Sequence, residues 1–197
     1  MPNPTNANPT HVVTNRVRLS YAHLTQPYKS PMAEEADKPK YAVTLLIPKT
    51  DKATLSRIRA AIQAAGEKAL ASGKLKKGTP IDKLPNPLHD GDGMKADGYT
   101  PYEAECKGCW VLTASNTDRP VIVDLNRDPI LDATEIYSGM YARVGLDFYA
   151  YNNRKQGIGC GLGNVQKLAD GEPLGASRAS VDDDFGDDFD YEDDPLA

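Results

Sequence analysis

Apolar residues recur along this chain mostly at every second position, and only once at helical spacing. RVRLSYAHL (16–24) sets Val17, Leu19 and Tyr21 against Arg16, Arg18 and Ser20, the alternation of a half-buried strand. KYAVTLLIP (40–48) is a second strand, stopped by Pro48, and the loop between them (25–39) holds three prolines. Leu55, Ile58, Ile62, Ala65 and Ala69 then follow at helical spacing, with Thr50 or Asp51 as the cap and SGK (72–74) near the end. Residues 75–105 have little apolar periodicity and are longer than an ordinary loop, which suits short strands or a flap. KGCWVLTASN (107–116) and PVIVDL (120–125) are further strands. The longest alternation is MYARVGLDFYAYNN (140–153), with Ala142, Val144, Leu146, Phe148 and Ala150 on one face. GIGCGLGNVQKL (157–168) is a glycine-rich closing strand, and DGEPLG (170–175) turns the chain outward.

Five or six strands with one helix exclude a βαβ architecture, because one helix cannot cover both faces of a parallel sheet. A mainly β fold follows, a small and mostly antiparallel barrel with one helix. The element count is shared by OB-type barrels and other small barrels or sandwiches.

Composition divides the 197 residues into a Pro/Asn/Thr-rich, flexible N-terminus (1–13), one barrel domain (14–175) and a disordered acidic tail (176–197). All 23 Lys and Arg lie at or before Arg178, while nine of the 28 acidic residues crowd into 182–194. The body is therefore mildly basic beneath a net charge of -5. No apolar run is long enough to span a membrane, and the N-terminus lacks the pattern of a secretory signal. Three cysteines, Cys106, Cys109 and Cys160, form no even disulfide framework and fit a reduced cytoplasmic setting.

The second face of the 140–153 strand carries Tyr141, Arg143, Gly145, Asp147, Tyr149 and Tyr151, with Arg154 and Lys155 in the loop beyond. Tyrosine rings beside guanidinium groups make a platform for unpaired bases, since every base has a π-face and every nucleotide a phosphate. The same run also suits plain packing at a barrel closure, or a subunit interface of a structural module. Tyr28, Lys29, Lys107, Arg16 and Arg18 extend the basic and aromatic set, whereas Trp110 alternates with Leu112 and belongs with the core. KLKK (74–77) reads as a solvated helix end.

Catalytic chemistry is thin. CKGC (106–109) has metal or redox spacing but no second pair, and the chain holds only three histidines. Asp90 and Asp92 of HDGDG suit a glycine turn better than a nuclease site, which needs more converging carboxylates. GIGCGLG lacks the Lys-Ser/Thr of a phosphate loop. No enzyme, metal or cofactor is expected.

The tail DDDFGDDFDYEDDPLA sets Phe185, Phe189, Tyr191, Pro195 and Leu196 among acids, a pattern suited to a basic-rimmed pocket. It also mimics a polyanion that could compete for the basic body. IYSGMYARVGLDFYAYNNRKQGIGCGLGNVQKLADGEPLG (136–175) resembles the phage-encoded single-stranded DNA-binding proteins with an OB fold. The shared pattern is a Tyr-rich strand after a Gly turn, an Asn-Asn-basic loop, a Gly-rich strand and a Val-Gln-x-x-x-Asp-Gly ending. KYAVTLLIPKTD and the DGD segment carry the resemblance upstream, to about residues 14–175. It implies a five-stranded OB barrel that coats single-stranded DNA in replication or recombination, inside the infected bacterial host. It places DNA contact on Tyr141, Arg143, Tyr149, Tyr151, Arg154 and Lys155. A homodimer, and replication or recombination proteins reached through the tail, are the implied partners. The tail closes on Pro-Leu-Ala rather than the Pro-Phe tip of bacterial counterparts.

Overall fold

A computed structural model describes residues 8–31, 34–35, 37–153 and 155–175. In chain order the elements are β1 (His11–Val13), β2 (Val17–Tyr28), β3 (Lys40–Pro48), α1 (Lys52–Ala71), β4 (Leu88–Asp90), β5 (Cys109–Asn116), β6 (Ile122–Val123), β7 (Tyr141–Asn152) and β8 (Gln156–Ala169). Five of them close on themselves: β2 pairs β3, β3 pairs β5, β5 pairs β8, β8 pairs β7, and β7 returns to β2. Numbered as barrel strands this circuit is 1-2-3-5-4-1, the connectivity of an OB fold. The barrel is antiparallel except where β5 and β8 run parallel at Ser115↔Gly161. The expected five-stranded barrel with one helix is the observed fold.

Alternation explains the core. Leu19 of β2, Val43, Leu45 and Ile47 of β3, Leu112 of β5, Val144 and Leu146 of β7 and Val165 of β8 all point inward and lose essentially all solvent contact. α1 lies between the second and third barrel strands and packs Leu55, Ile58, Ala61, Ala65 and Ala69 against the same core. Asp51 is its cap, accepting the Thr54 amide at 3.0 Å, with the Asn15 amide group bonded to the same carboxylate oxygen.

Two sequence expectations shift, and the short-strand alternative for 75–105 is met. The first strand runs on to Tyr28, through Pro27, because Tyr28 still pairs with Lys40. Residues 11–13, expected to be loose, form β1 against β7 at His11↔Asp147, and the His11 ring meets the Asp147 carboxylate at 2.7 Å. The stretch 75–105 holds β4, which pairs with β5, and two short 3-10 turns.

Candidate nucleic-acid interface

β2, β3 and β5 present their outward residues in rows. Ser20, Thr44 and Thr113 form one row; His23, Ala42 and Ser115 form the next. The Thr44 and Thr113 hydroxyls meet at 3.1 Å, so both stand on the same side of the sheet. The row below, Leu46 and Val111, is covered by Cys106, Tyr102, Cys109 and Leu174. Leu174 thus seals the lower half of this face. Among the described residues the upper half is open.

A bulge decorates that open half. Ser20 pairs with Thr44 and His23 with Ala42, so Tyr21 and Ala22 share the single partner position of Val43. The alternation places Tyr21 with Val17 and Leu19 in the core; the bulge overturns this, and Tyr21 is 57% exposed. Its φ of 47° is the left-handed region that such a bulge ordinarily fills with glycine. The Tyr21 hydroxyl donates to Glu103, whose carboxyl is held below its ordinary range by the Lys95 ammonium. Burial and the Glu103 charge raise the Tyr21 phenol in turn. Beside it a hollow of about 270 Å³ is lined by Ser20, Tyr21, His23, Ser138 and Leu174, among others. Further along β2 the His23 and Tyr28 rings stack with centroids 4.3 Å apart, next to exposed Lys40. Lys29 lies just beyond, its ammonium on the Glu35 carbonyl. At the β2–β7 seam, Arg16 sits 4.2 Å above the Tyr141 ring and Arg18 6.0 Å from it.

The residues singled out from the sequence therefore separate. Tyr141 joins Arg16 and Arg18 at the seam, and Tyr28 and Lys29 stand at the far end of β2. Tyr149 and Tyr151 lie elsewhere, on the outside of the β7–β8 hairpin opposite Gly159 and Gly157. Their rings lie across those glycines: a Cβ on Gly159 would stand 2.7 Å from Tyr149, and one on Gly157 2.3 Å from the Tyr151 hydroxyl. Half-exposed Tyr149 also borders Lys68 and Lys74 at the end of α1. Arg143 donates to the Thr14 carbonyl and so fastens the segment before β2. Lys107 is exposed near Asp92, while Lys155 is exposed in the β7–β8 turn and Arg154 lies outside the described residues. So do Phe185, Phe189, Tyr191, Pro195 and Leu196 of the tail. Trp110 is partly buried against the core.

Tyr21 and His23 escaped notice in the sequence because a bulge leaves no mark in an alternating pattern. Their signal is indirect: a polar, aromatic run that continues past residue 24, the expected end of strand one.

The groups of hydrolytic or redox type are otherwise engaged. Lys49 bridges Asp90 and Asp92, 2.6 Å from the latter, and holds both carboxyls below their ordinary range. Asp92 also accepts the Gly108 amide, so the pair fastens one turn to the next. Burial pushes the Cys106 thiol up to about 11 and the Cys160 thiol higher still, which keeps both protonated at neutral pH. Among the described residues no three His, Cys, Asp or Glu side chains gather to hold a metal. No helix there is long and apolar enough to cross a membrane.

A closed barrel of this connectivity, with its middle strand face open and rimmed by tyrosines, a histidine and cations, defines an oligonucleotide-binding-fold protein. A family profile for the ssDNA-binding protein of Enterobacter phage Enc34 matches residues 10–196, and the chain belongs to that family. Putative protein p50 of Acyrthosiphon pisum secondary endosymbiont phage 1 is 33% identical over 173 residues, 85% of this chain and 89% of that protein. The single-stranded DNA-binding protein from bacteriophage Enc34, solved in complex with ssDNA, is 29% identical with a TM-score of 0.64, covering 84% of this chain and 90% of that one. The single-stranded DNA binding protein gp2.5 encoded by bacteriophage T7 shares the fold at 15% identity, with a TM-score of 0.59 over 91% of this chain and 96% of that one.

Proposed function

We infer that this chain binds and protects single-stranded DNA without catalysis, during phage replication or recombination in the bacterial host. The observation that carries the reading is the open half of the β2–β3–β5 face, where Tyr21 and the His23–Tyr28 stack stand clear of the barrel. Bases stack on these rings, and the phosphates run past Arg16, Lys29 and Lys40. The Arg16–Tyr141 pair continues the path toward β7. Tyr149, Tyr151 and Lys155 lie on a separate surface, outside the β7–β8 hairpin, which a longer strand would reach, with Arg154 next to them in sequence; Lys107 adds charge. Arg143 supports this surface from behind. The fold supports the assignment, since OB barrels take oligonucleotides on this strand face and on the loops that flank it. Family membership supports the ligand.

Gly175, the last described residue, lines the same hollow as Tyr21, and the acidic residues beyond it in sequence compete with DNA for the cations of this surface. Phe185, Phe189, Tyr191, Pro195 and Leu196 of the tail are the contacts offered to replication or recombination proteins. A second copy of the chain is the expected partner in solution, and the exposed Val121, Leu125 and Leu131 around β6 offer an apolar surface for it.

The test is binding of a labelled single strand of about 30 nucleotides against the matching duplex across a salt series. Strong preference for the single strand, with an affinity that falls steeply with salt, is expected. Equal or absent binding of both at low salt overturns the function.

A further inference from the structure

A second basic and aromatic recess lies away from the β2–β3–β5 face. It occupies about 430 Å³ between the start of α1 and the end of the barrel, lined by Lys49, Lys52, Leu55, Ser56, Arg59 and Trp110. Its size falls within the roughly 300–1,000 Å³ of ordinary ligand pockets. Trp110 follows Cys109 and precedes Val111 on β5, and those two neighbours join the cluster that Leu174 seals on the opposite side of the sheet. The indole therefore opens toward α1 and not toward the tyrosine face. Over its ring stand Arg59 at 5.1 Å and Lys49 at 5.7 Å. Lys49 is neutralised by Asp90 and Asp92. Lys52 and Arg59 are exposed and have no carboxylate partner among the described residues, and no acidic side chain lines the recess. The result is an apolar floor of Leu55 and indole beneath a rim of unpaired cations.

We propose that this recess docks the chain's own acidic C-terminal segment, residues 182–194. That segment supplies the complement of each feature: nine carboxylates for the cationic rim, and Phe185, Phe189 and Tyr191 for the floor. Each ring has a carboxylate within two residues on either side, so one aromatic inserted against Trp110 brings acids to Lys52 and Arg59. Reach is sufficient. Phe189 and Tyr191 are fourteen and sixteen residues beyond Gly175, spans of up to about 46 and 53 Å when extended, against a diameter of about 40 Å for a domain of this size. Docked there, the tail is held off the tyrosine face, so the recess gives it an alternative to competing with DNA. The docking itself stands apart from the DNA reading, and its primary readout is a peptide titration and not DNA affinity.

Trp110 is the only tryptophan in the chain, so its emission reports the recess directly. The full-length variant F185A/F189A/Y191A keeps every acid of the tail but none of its anchors. Adding a synthetic peptide of residues 180–197, which contains no tryptophan, is expected to shift Trp110 emission to the blue in a saturable way. The shift is lost when K52E/R59E is added to the same protein. Both positions are exposed on α1, and a melting curve checks that this variant is folded. A peptide that leaves Trp110 unchanged, or a shift that survives K52E/R59E, overturns the proposal. So does a Trp110 shift produced by a single-stranded oligonucleotide and not by the peptide, which makes nucleic acid the occupant.

Discussion

Replacing Tyr21 by glycine separates the ring's contribution to binding from its contribution to folding. The residue sits at φ 47°, where an L side chain costs about 1–2 kcal/mol that glycine does not incur. Against that relief, glycine loses about 0.5–1 kcal/mol more chain entropy on folding. The exposed hydroxyl bond to Glu103 contributes about another 0.5–1 kcal/mol. With the residue 57% exposed, the covered part of the ring contributes about 1–2 kcal/mol more. The losses outweigh the relief, and Tyr21→Gly is expected to be about 1–2 kcal/mol less stable than the parent. Tyr21→Ala keeps the strained backbone and is expected to be the less stable of the two by about 1 kcal/mol, the reverse of the usual order within a strand. Both variants lose a stacking ring. Single-strand affinity should drop by about 1–3 kcal/mol in each, or about 5- to 150-fold at low salt. Urea melts and fluorescence anisotropy with a labelled single strand measure the two quantities. Alanine more stable than glycine refutes the strain argument. Unchanged DNA affinity in both variants removes Tyr21 from the interface.

Two further outcomes test how the surroundings of this face are held. A Cβ on Gly91 would stand 2.2 Å from the Cys106 carbonyl oxygen and 2.7 Å from that of Cys109, both backbone atoms that cannot swing away. Gly91→Ala should therefore cost at least about 2 kcal/mol and lower Tm by about 4–8 °C; an unchanged Tm shows that the 106–109 turn yields. Asp90, Asp92 and Asp170 are held below the ordinary carboxylate range by lysine partners, and Glu103 likewise by Lys95. A depressed folded value means that their contribution is complete above the unfolded value near 4 and is lost as pH falls through the lower folded one. Tm should stay level from about pH 7 to 5 and fall below about 4, with a shallower fall in Asp92→Asn; equal slopes dismiss the Lys49 bridge as a source of acid sensitivity.

The strands of this barrel are legible in the sequence because a face buried against a core repeats every second residue. β3, β5 and β7 each have one such face, and α1 announces itself by a different period and a side-chain cap at Asp51. β1 fails the same reading for a local reason: three residues in a Pro- and Asn-rich stretch are too few to show a period, and their strand identity comes from the β7 edge they meet. The bulge at Tyr21 fails it for another. One extra residue reverses inside and outside without interrupting the alternation, so the sequence marks both faces but not the point where they exchange.

The tyrosines of β7 show where pattern gives way to register. Their outward direction follows from alternation alone, but whether an outward ring is free or laid down depends on the residue beside it in the next strand. For Tyr149 and Tyr151 those neighbours are Gly159 and Gly157, whose missing side chains leave room for the rings to lie against the barrel. For Tyr141 the neighbour across β2 is Arg18, and the ring meets cations instead. One run of alternating tyrosines thus divides between two surfaces. The same holds for charge: the surplus of cations in the body and of acids in the tail is plain in the sequence, but only the fold shows which cations stand over rings. Arg16 and Arg18 meet Tyr141 at the β2–β7 seam, and Arg59 and Lys49 stand over Trp110 on the far side of the sheet. On the docking proposed above, DNA occupying the first site would leave the acidic segment the second.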